Sequence, residues 1–241
     1  EFKLTAEKLE AAISDKTKAI LLNFPSNPTG GVMSKEDYEK LVPIIKKHNL
    51  IVLSDEIYAE LTYDTDFCSL ASFDEIKDQV IIISGFSKAY AMTGWRLGYT
   101  LANETFTQAM NKIHQYIIMS APTAAQYGAI EAMRHGDVHV QEMKESYQAR
   151  RNFITRGFNR LGLPTHLPQG AFYIFPDIRS TGLTSDEFCE QLLLDQKVAC
   201  VPGTAFGDAG EGFIRISYAY SIEHIKEALE RIEKFLTKLR K

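Results

Sequence analysis

Val80-Ile81-Ile82-Ile83-Ser84-Gly85-Phe86-Ser87-Lys88-Ala89-Tyr90-Ala91-Met92-Thr93-Gly94-Trp95-Arg96-Leu97-Gly98 is the stretch on which the reading of this chain turns. Its opening apolar run, closed by small polar residues, has the pattern of a buried strand. A lysine then follows among small and aromatic residues, and an arginine stands eight residues later beside the only tryptophan. A loop lysine is ordinarily just solvated. One that follows a buried strand in such company is a candidate for chemistry.

Two upstream stretches repeat the pattern of a strand followed by a polar loop. Ala19 to Asn23 is a short apolar run, and a loop from Pro25 to Gly31 follows it, containing Ser26-Asn27-Pro28-Thr29-Gly30. Leu50 to Leu53 is the next run, followed by Ser54-Asp55-Glu56-Ile57-Tyr58. Alone, the first loop reads as an ordinary turn and Asp55 as a helix N-cap. Between the runs, Ser34 opens a helix with Asp37 near capping-box position, and Tyr38, Leu41, Ile45 and His48 share one face. Strand, helix, strand with short loops predicts a mostly parallel sheet covered by helices. In such sheets ligands bind beyond the carboxyl ends of the strands, where all three loops would lie.

Further helices are expected over Phe106 to Met119 and Ala124 to Arg134. The texture changes at His135-Gly136-Asp137. Beyond it the pattern predicts a long helix from Val140 to Leu161, with Tyr147, Ile154, Phe158 and Leu161 on one side. Strands at Ala171 to Phe175, Val198 to Val201 and Phe213 to Tyr218, and helices at Ser185 to Leu194 and Ile222 to Leu239, complete a smaller α+β part. The expected architecture is α/β, with a domain over 1–136 and a second over 137–241.

Composition narrows the function classes. The 241 residues are 45% hydrophobic and 24% charged, with a formal net charge of -4. This is ordinary globular composition, without the basic footprint expected of a nucleic-acid or anionic-membrane binder. No apolar run approaches the ~20 residues of a membrane-spanning helix. Three cysteines (Cys68, Cys189 and Cys200) have no metal-like spacing, so neither a disulfide framework nor a zinc site is expected; a reducing, cytoplasmic setting is. The opening Glu1-Phe2-Lys3-Leu4 has neither the basic nor the apolar region of a signal peptide and reads as the interior of something longer.

Taken together, the loops supply what one cofactor requires. A lysine amine in a partly desolvated pocket can form a Schiff base. An aspartate can keep a pyridine nitrogen protonated, making the ring an electron sink. An arginine and a serine hydroxyl can clamp a phosphate. These are the parts of a pyridoxal 5'-phosphate site.

Asn27-Pro28-Thr29-Gly30, Asp55-x-x-Tyr58, and Ser87-Lys88 followed by Met92-Thr93-Gly94-Trp95-Arg96-Leu97-Gly98 closely resemble the class I/II aminotransferases of pyridoxal-phosphate fold type I. The lysine segment is most similar to the prokaryotic aspartate and aromatic aminotransferases. The resemblance runs through Gly170-Ala171-Phe172-Tyr173 and Phe213-Ile214-Arg215-Ile216-Ser217, so it covers essentially the whole chain. It implies a large cofactor-binding domain, incomplete at its N-terminus, and a small C-terminal domain. Lys88 would carry the cofactor and shuttle a proton as general base and acid. Asp55 would pair with the ring nitrogen, and Asn27 and Tyr58 would hydrogen-bond the ring oxygen. Ser87 and Arg96 would bind the phosphate. Arg215 would hold the substrate carboxylate, with Asn27 beside it. Without the flanking pattern, Arg215 would read as a strand arginine in a surface ion pair.

The implied reaction is ping-pong transfer of an amino group between an L-amino acid, aspartate or an aromatic one first, and a 2-oxo acid. The implied partners are those small molecules and a second copy in a homodimer. Family resemblance also makes Asn27–Pro28 a candidate cis peptide.

The chain departs from the family in two respects. Gly85 stands where many relatives carry a phosphate-binding serine, leaving Ser84 or Ser87 to supply a hydroxyl. Relatives also continue well upstream of the first strand, through an N-terminal arm, a phosphate-cradling helix N-terminus and a ring-stacking aromatic residue. A 241-residue chain is therefore expected to bind the cofactor weakly and turn over poorly.

Two rival readings share the scaffold. One is a pyridoxal-phosphate lyase, such as a carbon–sulfur β-lyase; the Met92-to-Gly98 run fits the aminotransferases better. The other is a non-catalytic ligand-sensing domain, for which no helix-turn-helix or basic segment is present. His135 and His139 are expected in a surface loop, because Gly136-Asp137 breaks the helix that would bring them together as ligands. Cys68 and Cys200 are expected to be buried structural thiols, and Gly203 to Gly207 a turn near the substrate pocket rather than a phosphate loop.

Overall fold

The computed structural model describes residues 2–240. They form two compact units. One comprises Phe2–Ser26 and Gly31–Lys144; the other comprises Asn27–Gly30 and the chain from Glu145 onward.

The first unit is built on a four-stranded sheet. β1 (Ala19–Asn23), β2 (Ile51–Asp55) and β3 (Val80–Gly85) lie in sequence order and run parallel, and β4 (Gly98–Leu101) returns antiparallel on β3. The three strand expectations hold, with β2 extending two residues further to reach Asp55. α1 (Ala6–Ala12) and β4 were not anticipated. β4 is the outgoing end of the lysine segment, which turns back and pairs with the strand it left.

α2 (Lys35–Lys47) begins where Ser34 predicts. Ser34 and Asp37 form a reciprocal capping box, which satisfies two otherwise unpaired amide donors. Its Tyr38, Leu41 and Ile45 are buried with Leu22, Val52, Val80 and Ile82 of the sheet. His48 is exposed at the helix end, so it leaves the predicted apolar stripe. The opposite sheet face is less covered. Leu21 is 68% exposed, although β1 reads as a buried strand. Its side chain alternates away from the helix-covered face, and no described element packs over it. α3 (Glu104–Ile117) buries none of its residues, and α4 (Thr123–His135) buries only Ala125 and Ala129.

Gly136 caps α4, and α5 (Asp137–Arg160) starts at the next residue. His135 and His139 thus sit on helices rather than in a loop, each beside a glutamate of its own helix (Glu131 and Glu142). The division between the compact units falls within α5, at Lys144 and Glu145.

The second unit contains α5 from Glu145 onward, β5 (Tyr173–Ile174), α6 (Ser185–Gln196), β6 (Val201–Pro202), β7 (Ile214–Ser217) and α7 (Ile222–Leu239). β7 is the central strand of a small antiparallel sheet, between β5 and β6. Ile154 and Phe158 of α5, Phe188 and Leu192 of α6, and Ile225, Leu229, Ile232 and Phe235 of α7 close one core over Ile174 and Ile214. The short segment Asn27–Gly30 is held to this unit by its backbone. The Gln169 and Gly170 N–H groups both donate to the Gly30 carbonyl at 2.9 Å. Gly30 has φ +70°, and a Cβ there would lie 2.4 Å from that of Pro168, so glycine is required. The cis peptide among the described residues is Phe24–Pro25, which corrects the expectation at Asn27–Pro28.

Candidate active site

Parallel pairing brings the ends of β1, β2 and β3 to one edge of the sheet, with Asn23 opposite Asp55 and Asp55 opposite Ile83. Asp55 is half-buried there. Its Oδ2 accepts from Asn23 Nδ2 at 2.9 Å and its Oδ1 from the Ile57 N–H at 3.1 Å. The carboxylate is thereby fixed in direction while keeping lone pairs for a further donor. Asn23 is a partner the sequence analysis did not single out; its place at the end of an apolar run was the available signal.

Asp55 heads a turn that carries Tyr58, which is only 3% exposed. The neighbouring Glu56 turns into the unit. Its Oε1 accepts from Ser54 Oγ, Ser69 Oγ and the Leu70 N–H. Burial nevertheless lifts its carboxyl above the usual range.

The lysine segment is a closed loop rather than an extended one. Ala91 donates to the Lys88 carbonyl, Met92 to that of Phe86, and Thr93 Oγ1 to that of Ser87 at 2.7 Å. Ala91 and Arg96 both take left-handed backbone, at φ 53° and 56°. These turns bring Leu97 back so that the Phe86 N–H donates to its carbonyl. Lys88 is half-buried, with Nζ 5.8 Å from the centroid of the Tyr58 ring. Arg96 is exposed, and its Nη1 donates to the Thr93 carbonyl.

Gly85, the departure from the family pattern, lies against Gly98 across the β3–β4 pair. A Cβ on Gly85 would fall 2.8 Å from the Gly98 Cα and 3.0 Å from the Leu97 carbonyl oxygen, so a serine there requires the strands to give. A cavity of about 300 Å³ in the same unit is lined by Glu56, Ser84, Phe86, Tyr90 and Tyr99, but not by Asp55, Lys88 or Arg96. It is not the place where the candidate residues gather.

The second unit carries a different constellation. Arg215 on β7 donates from Nη1 to Asn27 Oδ1 at 2.9 Å. Its guanidinium carbon lies 4.7 Å from the Tyr173 ring centroid and 5.0 Å from that of Phe206. No carboxylate among the described residues pairs with it, so the ion-pair reading does not hold. Its Nε is buried and has no hydrogen-bond partner. A buried guanidinium N–H left open costs ~1–3 kcal/mol, unless an anion arrives to take it. Phe206 belongs to the 3-10 turn Gly203–Phe206, the segment expected near a substrate pocket. Arg151 was also missed. It is 2% exposed and its Nη1 holds the carbonyl of Pro168, the residue packed on Gly30.

Comparison with known proteins gives concordant results. The family model described as aminotransferase class I and II matches residues 1–232. A Bacillus subtilis protein described as putative aminotransferase YugH is 54% identical over 237 residues, covering 98% of this chain and 61% of that protein. The aspartate aminotransferase of Pyrococcus abyssi is 46% identical over 239 residues, with 98% and 61% covered. Among solved structures, the aromatic aminotransferase from Pyrococcus horikoshii superposes with a TM-score of 0.97 at 44% identity, over 99% of this chain and 64% of that one. The chain thus spans about three fifths of the length of the curated relatives it matches.

Proposed function

Because this chain belongs to the class I and II aminotransferase family, we propose that it is the greater part of a pyridoxal-phosphate-dependent aminotransferase, transferring an amino group from an L-amino acid to a 2-oxo acid. Aspartate or an aromatic amino acid is the proposed donor, because relatives of 44–46% identity carry those names. In this reading 1–136 is cofactor-binding, 137–241 is the smaller domain, and the working protein is a homodimer.

The residues present fit the cofactor. The observation that carries the reading is the open, buried Nε of Arg215 in a neutral setting, a donor still lacking its anion. The fixed Asp55 carboxylate and the half-buried Lys88 amine beside a buried phenol ring supply the other required groups. When bound, pyridoxal phosphate supplies an electron-withdrawing ring that eases breaking of a bond at the substrate Cα.

This chain's own residues do the rest. Asp55 would hold a proton on the ring nitrogen, while Asn23 and the Ile57 N–H keep the carboxylate aimed. Tyr58 and Asn27 would donate to the ring oxygen, and Ser87 and Arg96 would bind the phosphate. Lys88 would hold the cofactor through its amine, and that amine would move the proton at the substrate Cα. Arg215 takes the α-carboxylate through two parallel N–H donors, which orients the Cα–H bond.

Borohydride reduction of protein loaded with cofactor, followed by peptide mapping, tests the assignment. The expected product is a reduced pyridoxyl group on Lys88. A label on any other lysine, or none on a protein that binds the cofactor, would overturn it. Amino transfer to an isotopically labelled 2-oxo acid separates a transaminase from a lyase, which needs no acceptor.

A further inference from the structure

The second unit brings two thiols together that the sequence keeps apart. Cys189 lies on the buried face of α6, beside Phe188 and Leu192 in the core. Cys200 stands just before β6 and is half-buried. Lys197 ends α6 in left-handed conformation and turns the chain back along the helix. The Cys200 S–H donates to Cys189 Sγ at a sulfur–sulfur distance of 3.3 Å.

The end of α6 that sets this separation is tied down from α7. Arg231 donates to the Gln196 carbonyl, and Lys238 pairs with Asp195. The third cysteine, Cys68, belongs to the other unit, where it lies against Ser69 and Ser72.

We propose that Cys189 and Cys200 are a redox-modifiable dithiol, oxidised by hydroperoxides to an intramolecular disulfide that tethers α6 to β6. One sulfur attacks a peroxide oxygen, the O–O bond breaks, and water leaves, giving a sulfenic acid. The second sulfur then displaces that oxygen, its proton leaves with a second water, and the S–S bond forms. Two electrons pass from the sulfurs to the peroxide, so one hydrogen peroxide is consumed and two waters are released. The hydrogen bond from Cys200 holds the Cys189 thiol below the usual range and lifts that of Cys200, while Cys200 is the more exposed of the two sulfurs.

The tether would lie next to a proposed functional strand. Val201 follows Cys200 directly and pairs with Arg215 on β7. The inference itself does not depend on the proposed function, since it rests on the two sulfurs alone.

Thiol counting on the folded protein tests it. The reduced chain has three alkylatable cysteines after denaturation. Treatment with hydrogen peroxide at low molar excess should leave one, Cys68, and digestion should yield a linked peptide pair containing Cys189 and Cys200. Dithiothreitol should restore all three. In Cys68→Ser the count should fall from two to none, with the protein still monomeric on non-reducing gels. Three alkylatable thiols after treatment, or Cys189 and Cys200 in separate over-oxidised peptides, or a link to another chain, would overturn the proposal.

Discussion

Replacing Arg215 with methionine separates what this side chain does for a substrate from what it does for the fold. In the folded chain its Nη1 makes one hydrogen bond to Asn27, and its buried Nε makes none. A carboxylate bound through two parallel N–H donors would add two charge-assisted hydrogen bonds, each worth ~1.5–3 kcal/mol. Their loss amounts to ~3–6 kcal/mol, or roughly 10²–10⁴ in kcat/KM. Arg215→Lys keeps the charge but presents a single point donor, so its loss should be about 10–100-fold. The fold should respond far less. Methionine removes an unsatisfied buried donor worth ~1–3 kcal/mol, and with it the single bond to Asn27, worth about 1 kcal/mol, and the two ring contacts, worth ~0.5–1 kcal/mol each, so stability should change by no more than ~1–2 kcal/mol. Steady-state kinetics with donor amino acid and 2-oxo acid, alongside urea denaturation without substrate, read both quantities. Loss of several kcal/mol of stability with kcat/KM reduced less than about tenfold would refute the reasoning, because Arg215 would then be a structural residue.

Two further outcomes follow from buried polar groups. The fully buried Tyr218 hydroxyl donates to the carbonyl of Ala171 at 3.0 Å, and Ala171 itself has positive φ. Tyr218→Phe leaves that buried carbonyl without this donor and should cost ~1–2 kcal/mol in urea denaturation; a change below about 0.3 kcal/mol would contradict this account. Burial raises the Glu56 carboxyl above its unfolded value, so the folded state binds the extra proton between the two values. Stability should therefore fall as pH rises from the ordinary carboxylate range through the raised value. Glu56→Gln keeps an oxygen for the three donors and should flatten that limb of the urea midpoint against pH. An unaltered limb in the variant would assign the dependence to other groups.

The parallel part of the sheet was readable because each strand is an apolar run closed by turn residues. The capping residues of α2 and the face of α5 were readable from local chemistry and helical spacing. β4 escaped because Gly98 to Leu101 is continuous with a motif-rich loop, and its pairing with β3 depends on two left-handed residues, Ala91 and Arg96, that no local pattern announces. The partners of candidate residues were harder to foresee than the residues themselves. Asn23 meets Asp55 only through strand register, and Asn27 meets Arg215 only after folding across the chain. Cys200 meets Cys189 only because the chain turns back at the end of α6, a contact that sequence spacing does not announce. Leu21 shows the converse limit: its apolar character predicts burial, yet burial needs something to pack against.

The uncovered faces of the first unit have a practical consequence. Tyr116 is 88% exposed, and Ile113, Ile117, Met119, Tyr127 and Met133 are also open to water. Apolar surface of that kind drives association between molecules, with a strength that grows with temperature and with salting-out anions. Preparations of this 241-residue stretch should scatter light at modest concentration, bind hydrophobic dyes while folded, and stay dispersed best at low temperature with mild detergent.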